Sequence, residues 1–241
     1  PVRLDLVWEA RVSPTTRPEL ALRDSAGVVH DLGPARLSTT GFGLGDWQAG
    51  DRWRLATPVI IPADVPAGTA TWAVRIAGRE IVLGEVEVTT PQRSLQRPDG
   101  LTPRADRFGD RVELIGYRLT GEAVVGGGLE VELAWQARET VDKTLVVFVH
   151  LIGSDGLPAA QSDSAPASGA RPTTGWLPPE IVVDRHTIAL SPTLAAGPYT
   201  LTVGLYDPLT GVRVTVLPTD TTTGAAVVDR VELQSLEILA R

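Results

Sequence analysis

The chain repeats one short motif, and this repeat constrains the fold more than any other feature. Trp8-Glu9-Ala10-Arg11 corresponds to Trp135-Gln136-Ala137-Arg138, 127 positions later. Three further landmarks follow in the same order at an offset of 129. They pair a turn at Gly27 with Gly156, a loop residue Trp47 with Trp176, and a turn at Gly68 with Gly197. Landmarks that recur in one order at nearly one offset predict a single domain used twice.

The repeat divides the chain into two copies joined by a linker. We place copy one at 1–90 and copy two at 108–241. The interval 91–107 contains three prolines, a glycine and several charges, a composition typical of linkers. Copy two has a leading strand at 111–119, whereas copy one begins at the Trp-Ala-Arg strand. We therefore expect copy one to lack a strand that lay upstream of Pro1 in an intact protein.

Hydrophobic periodicity predicts strands in both copies. Apolar and polar residues alternate over 2–10 and over 129–137, the pattern of a strand with one buried and one wet face. The segment 145–152 is apolar on both faces except for His150, which predicts a central strand. Turn signals recur every ~8–12 residues, and no stretch has helical periodicity with caps. We predict an all-β fold of two tandem antiparallel β-sandwiches, immunoglobulin-like or jelly-roll-like, formed by internal duplication.

The six tryptophans suggest sugar binding, because aromatic rings stack on the apolar faces of sugars. Strand parity instead assigns four of them to the core. These four are Trp8, Trp53, Trp72 and Trp135. Trp47 and Trp176 differ, because they lie at equivalent loop positions. There an indole either caps the end of a sandwich or faces a ligand, so both are candidate ligand-binding residues.

Catalytic signatures are scarce. The absence of Cys excludes disulfides, thiolate metal sites and thiol nucleophiles, and the three His are not spaced as zinc ligands. We therefore predict no cofactor and no metal. Asp163 and Asp184 flank Trp176 and are the best acidic candidates, either as groups that fix loops or as a glycosidase pair. His150 is either a hydrogen-bonded strand residue or a ligand-binding group.

Charge limits the partners. A net charge of -7 argues against nucleic acid and against docking on an anionic membrane surface. No apolar run reaches the ~18 residues that span a bilayer. The chain contains no Met, so we expect a processed product or a piece of a longer protein.

Copy two also carries a pattern of short motifs from one known group of proteins. The motifs are Leu114-Ile115-Gly116-Tyr117, Leu133-Ala134-Trp135-Gln136-Ala137, Val147-Phe148-Val149-His150-Leu151-Ile152, Ala160-Gln161-Ser162-Asp163, Pro172-Thr173-Thr174-Gly175-Trp176-Leu177-Pro178-Pro179-Glu180, Gly197-Pro198-Tyr199-Thr200-Leu201 and Val203-Gly204-Leu205-Tyr206-Asp207-Pro208-Leu209-Thr210-Gly211.

This pattern resembles the β-sandwich region that follows the membrane-spanning part of bacterial glycosyltransferase-like proteins of the dolichyl-phosphate-mannose mannosyltransferase type. The resemblance covers 108–215, and copy one only through the repeat. The family pattern usually reads Trp-x-Pro-Gly-Glu, whereas this chain has Pro179 at the glycine position. The resemblance implies an extracytoplasmic, non-catalytic region of a larger membrane protein.

These observations favour an accessory role over chemistry. We expect a spacer, an interaction module or a carbohydrate-recognition module, with a cell-envelope glycan or another envelope protein as partner. Contact with the membrane would come only through missing parts of the parent chain. The alternative is a carboxylate-dependent glycoside hydrolase or another carbohydrate-active enzyme.

Overall fold

A computed structural model describes residues 2–12, 14–217 and 228–240, and its regular structure is almost entirely β-strand. The chain forms two compact units, Pro1–Gln92 and Arg93–Arg241. Every strand pairing in the named sheets is antiparallel, and each unit packs two sheets around a core. The prediction of all-β, antiparallel sandwiches is confirmed.

The first unit has a two-stranded and a four-stranded sheet. Its strands are β1 (Val2–Glu9), β2 (Glu19–Arg23), β3 (Val29–Pro34), β4 (Arg52–Val59), β5 (Gly68–Ile76) and β6 (Arg79–Val88). The sheet orders are β1-β4 and β3-β2-β5-β6. Leu20, Leu22 and Trp72 of the larger sheet are buried against half-buried Leu4 and Leu6 of β1.

The second unit has a five-stranded and a four-stranded sheet. Its strands are β7 (Thr102–Phe108), β8 (Val112–Glu122), β9 (Gly128–Ala137), β10 (Val146–Ile152), β11 (Pro158–Ser164), β12 (Ile181–Ala189), β13 (Gly197–Tyr206), β14 (Val216–Leu217) and β15 (Val231–Ile238). The sheet orders are β12-β9-β8-β7-β14 and β11-β10-β13-β15. Strand β10 lies between β11 and β13, as the apolar run at 145–152 predicts.

The two units share their strand arrangement. The β1–β4 register places Trp8 opposite Trp53, and the β9–β12 register places Trp135 opposite Val182, at the offsets found in the sequence. The order β3-β2-β5-β6 corresponds to β11-β10-β13-β15. These correspondences support the duplication, which stays a hypothesis about the ancestry of the chain.

The interval 91–107 is only partly a linker, because it contains nearly all of β7. Ser94 already bridges to Ile181 of the second unit. In β7, the pairing with β8 is irregular between Pro103 and Asp106. Proline is tolerated at such irregular positions of a sheet. The proline and the charges therefore suggested a linker where the structure has a strand.

Candidate functional site

Trp47 and Trp176 are buried, 3% and 0% exposed respectively. The indole N–H of Trp47 donates to the Leu37 carbonyl at 2.9 Å, and that of Trp176 donates to the Arg171 carbonyl at 2.9 Å. A buried indole normally satisfies its N–H in this way. Both burials fit the predicted capping role. Trp176 has no exposed ring face for a ligand, whereas Trp47 lines an apolar cavity of about 310 Å³ with Leu37 and Ile76, so its ligand-binding role stays a prediction.

One tryptophan assigned to the core is instead exposed. Trp72 and Trp135 are buried and Trp8 is half-buried, but Trp53 is 39% exposed. Its ring lies 4.7 Å from the ring of half-buried Phe42, centroid to centroid, with an interplanar angle of 34°. Strand parity did not predict this exposed pair. Parity shows which face of a strand a side chain lies on, but it does not show whether the core extends as far as that side chain.

His150 and Asp163 come together on the outer face of the β11-β10-β13-β15 sheet. His150 lies on β10 between Val149 and Leu151, which belong to the core, so its side chain points away from the core. Its Nε2 is 3.2 Å from Asp163 Oδ1. Burial lowers the pKa of His150 below the usual histidine value, and the neighbouring carboxylate of Asp163 acts in the opposite direction.

Residues that the sequence analysis did not select surround this pair. The Phe148 ring lies 4.7 Å from the His150 ring, and the Arg213 guanidinium lies 4.4 Å from the centre of the Phe148 ring. Burial and the carboxylate of Asp163 raise the pKa of Tyr206. Parity could have placed Phe148 beside His150 on the outer face, but no local pattern indicates the distant Arg213.

Asp184 lies inside the second unit, on edge strand β12. Its Oδ2 is 2.9 Å from His186 Nε2, and its Oδ1 accepts the Ala167 N–H at 2.9 Å. The other ring nitrogen, His186 Nδ1, is 3.1 Å from the hydroxyl of Ser162 on edge strand β11. Ser162, His186 and Asp184 therefore form a hydrogen-bonded series that joins the edges of the two sheets.

Serine hydrolases use the same three residue types, with a serine that the substrate can reach. Here the side chains of His186 and Asp184 are both fully buried. The short turn Pro166–Gly169 lies over them, since its Ala167 donates to Asp184. Ser162 itself is half-buried, and the series of hydrogen bonds links β11 to β12.

Asp163 and Asp184 do not form a catalytic pair. Ser162 and Asp163 are consecutive on β11, so their side chains point to opposite faces of the sheet. Ser162 reaches the buried His186, whereas Asp163 faces His150. A glycosidase needs two carboxyl groups that flank one bond of the substrate. The predicted pair is therefore not formed by these two residues.

The loop that carries Trp176 ends in a second buried charge. Glu180 is buried and makes ion pairs with both Arg93 and Arg171. Arg93 also donates to the Gly175 carbonyl at 2.9 Å. The acidic residue that follows the tryptophan in the sequence pattern thus fixes its own loop to the start of the second unit.

Two further kinds of feature are absent from the part of the chain that the structure describes, a metal-binding group and a membrane-spanning helix. Within residues 2–12, 14–217 and 228–240, no three His, Asp or Glu side chains are grouped as they would be to hold a metal ion. None of the helical segments described in the structure is long and apolar enough to cross a membrane. Comparison with protein-family models gives no match, and comparison with curated proteins gives none.

Proposed function

We propose that the chain is a non-catalytic interaction module of a larger cell-envelope protein. The observation that carries this proposal is that the acidic side chains and the histidine best suited to catalysis are bonded within the fold. Asp184, His186 and Glu180 are buried and bonded to protein groups. A catalytic group must instead reach a substrate. These side chains therefore serve the sandwich itself.

The cell-envelope location rests on a different argument. It comes from the resemblance of residues 108–215 to the sandwich region of bacterial mannosyltransferase-like membrane proteins. The negative net charge fits this context, because it suits neither nucleic acid nor an anionic lipid surface. In this setting the two units would bind or space other components of the envelope.

One observation favours a second candidate function, carbohydrate recognition. The exposed Trp53 and the half-buried Phe42 form a pair of tilted rings in contact in the first unit. Large aromatic rings at a surface are typical of recognition sites, and their faces suit the C–H groups of sugars. The Trp47 ring lies 6.5 Å from the Trp53 ring, so this pair extends one predicted aromatic site, whereas the fully buried Trp176 no longer belongs to the glycan hypothesis.

One experiment tests both functions. The protein is incubated with purified bacterial cell-envelope polysaccharides, and both bound polymer and newly released reducing ends are measured. We expect no release of reducing ends. If the second function holds, Trp53→Ala lowers binding at least about tenfold, a change of ~1.4 kcal/mol. Trp72→Phe, in the core, serves as the matched control and should leave binding unchanged.

Release of reducing ends that Asp163→Asn or Asp184→Asn abolishes, in a variant that still folds, would overturn the non-catalytic proposal. Binding that is the same in wild type and Trp53→Ala would instead remove only the carbohydrate candidate.

A further inference from the structure

The chain enters the second unit at one edge of a sheet and forms its first strand on the other side of that sheet. The Ile181 N–H donates to the Ser94 carbonyl at 2.7 Å, so residue 94 lies beside edge strand β12. Strand β7 begins at Thr102, and the sheet order is β12-β9-β8-β7-β14. Residues 93–101, which we call the strap, therefore cross β9 and β8 before β7 begins.

The strap lies on the outer face of this sheet. Ala134 is flanked on β9 by two core residues, so its side chain points away from the core. Ala134 forms a buried apolar cluster with Ile115 and Ile181, and Leu101 of the strap packs against this cluster. The strap thus covers apolar surface that strand alternation would otherwise leave in water.

Strand β8 accommodates the end of the strap in two ways. Arg118 donates to the Asp99 carbonyl at 2.8 Å. At Gly116 the strap approaches the sheet closely, because an added Cβ would lie 3.1 Å from Leu101 Cβ and 3.0 Å from the Thr102 carbonyl oxygen. The absence of a side chain at Gly116 is therefore required for this contact.

The start of the strap is held by buried charge. Glu180 is 1% exposed and makes ion pairs with Arg93 and Arg171. Arg93 also donates to the Gly175 carbonyl at 2.9 Å. Removing one partner of a buried ion pair leaves the remaining charge uncompensated, so such a pair resists being pulled apart. This anchor lies at the residue where the chain from the first unit arrives.

We infer that the strap is a latch that bears tension applied along the chain from the first unit. A pull from that side loads the Arg93–Glu180 ion pair before it loads β7, because Arg93 is the first residue of the strap. When the ion pair breaks, the strap leaves the outer face as a separate step while the sheet beneath it stays folded. Local openings of this kind require less free energy than unfolding of a whole unit.

This inference deepens the spacer role, and it rests on the proposed function in that a spacer between envelope components is a part under load. Its test uses neither the polysaccharides nor the Phe42–Trp53 pair. A failed force experiment therefore leaves the outcome of the polysaccharide experiment unaffected, and the two failures can be told apart.

The experiment stretches single molecules of the full 241-residue protein in optical tweezers. The chain has no cysteine, so two introduced cysteines define where the handles attach. Thr90→Cys with Ala240→Cys places the strap in the loaded path, whereas Thr102→Cys with Ala240→Cys bypasses it. Residues 93–101 extend to at most about 32 Å. With the first handle pair we expect a first event that lengthens the molecule by no more than this, and with the second pair no such event.

The latch is tested by substitutions at the two ends of the strap. Arg93→Gln should speed the short event at least about tenfold at fixed force when the pull comes from residue 90. It should change the first unfolding rate less than about twofold when the pull comes from residue 102, where Arg93 carries no load. Leu101→Ala, which leaves the ion pairs intact, should speed the short event about fivefold.

Three results would each overturn the inference. The first is a pull from residue 90 whose first event releases more than the length of the strap, or shows no separate short step. The second is a short event whose rate Arg93→Gln leaves unchanged. The third is an equal acceleration by Arg93→Gln in both pulling geometries, which would make Arg93 a general stabilising residue and not a latch.

Discussion

At the scale of single residues, His150 experiences two opposing influences on its charge. Burial against Phe148 favours the neutral ring, and Asp163 at 3.2 Å favours the protonated one. Burial is the larger effect, and the nearby Arg213 and Arg230 add to it, so the pKa is lowered. In the unfolded chain the ring has its ordinary pKa, about 6.5.

The lowered pKa predicts a dependence of stability on pH. As pH falls below about 6.5, the unfolded chain takes up a proton that the folded protein takes up only at lower pH. The free energy of unfolding of the second unit therefore falls on acidification through this range. His150→Gln should reduce this dependence between pH 8 and pH 5, measured by urea unfolding. An unchanged pH dependence in the variant would show that His150 does not carry the effect.

The burial of the tryptophans could be predicted from the sequence for some residues and not for others. Alternation correctly predicted the burial of Trp72 and Trp135, because both lie on strand faces that pack into a core. It failed for Trp53, which sits near the start of β4, where the core ends. The burial of Trp176 depends on a carbonyl of its own loop, and local sequence does not encode how that loop closes.

At the scale of elements, the loop between the short 3₁₀ turn Thr173–Gly175 and strand β12 depends on one buried carboxylate, that of Glu180. Glu180 accepts two arginines, and Arg93 additionally holds the Gly175 carbonyl. Removing one partner of a buried ion pair leaves the other charges uncompensated, which costs more than the pair itself contributes.

Glu180→Gln should therefore lower the free energy of unfolding by about 3 kcal/mol, since the two arginines lose the buried carboxylate that they share. Urea unfolding followed by tryptophan fluorescence measures this. Glu9→Gln is the matched control, because Glu9 pairs with Arg52 on the surface and is 41% exposed. The control should change stability by less than about 1 kcal/mol. Similar losses in the two variants would contradict the structural role of Glu180.

Long alternating strands could be predicted from the sequence, whereas an irregular strand and a contact between two sheets could not. The alternation over 2–10 and 129–137 correctly predicted β1 and β9, because a strand with one buried face has apolar residues at every second position. Strand β7 was missed, since Pro103 and the bonded pair Arg104 and Asp106 resemble a linker. The hydrogen-bonded series of Ser162, His186 and Asp184 was also missed, because it joins two strands from different sheets.

At the scale of the whole molecule, the two units share a strand arrangement but differ in the number of described strands. The second unit has β7, β8 and β14 beside its Trp-Ala-Arg strand, and Trp135 is fully buried. The described part of the first unit has no counterpart of these strands, and Trp8 remains half-buried.

We propose that the buried polar side chains of this molecule hold its sandwiches together. Asp184 tests this claim most directly, because the seam between β11 and β12 depends on its bonds to His186 and Ala167. Replacing a group in an active site commonly leaves stability unchanged or raises it, whereas replacing a group in a structural network lowers it.

The deciding measurement is the free energy of unfolding of Asp184→Asn at pH 7, with Asp163→Asn as the matched control. We expect a loss of about 2 kcal/mol for Asp184→Asn, because the buried bonds to a charged acceptor are weakened. We expect a loss of less than about 1 kcal/mol for Asp163→Asn, because Asp163 is partly exposed. If the Asp184→Asn protein is as stable as the wild type, or more stable, Asp184 does not hold the two sheets together.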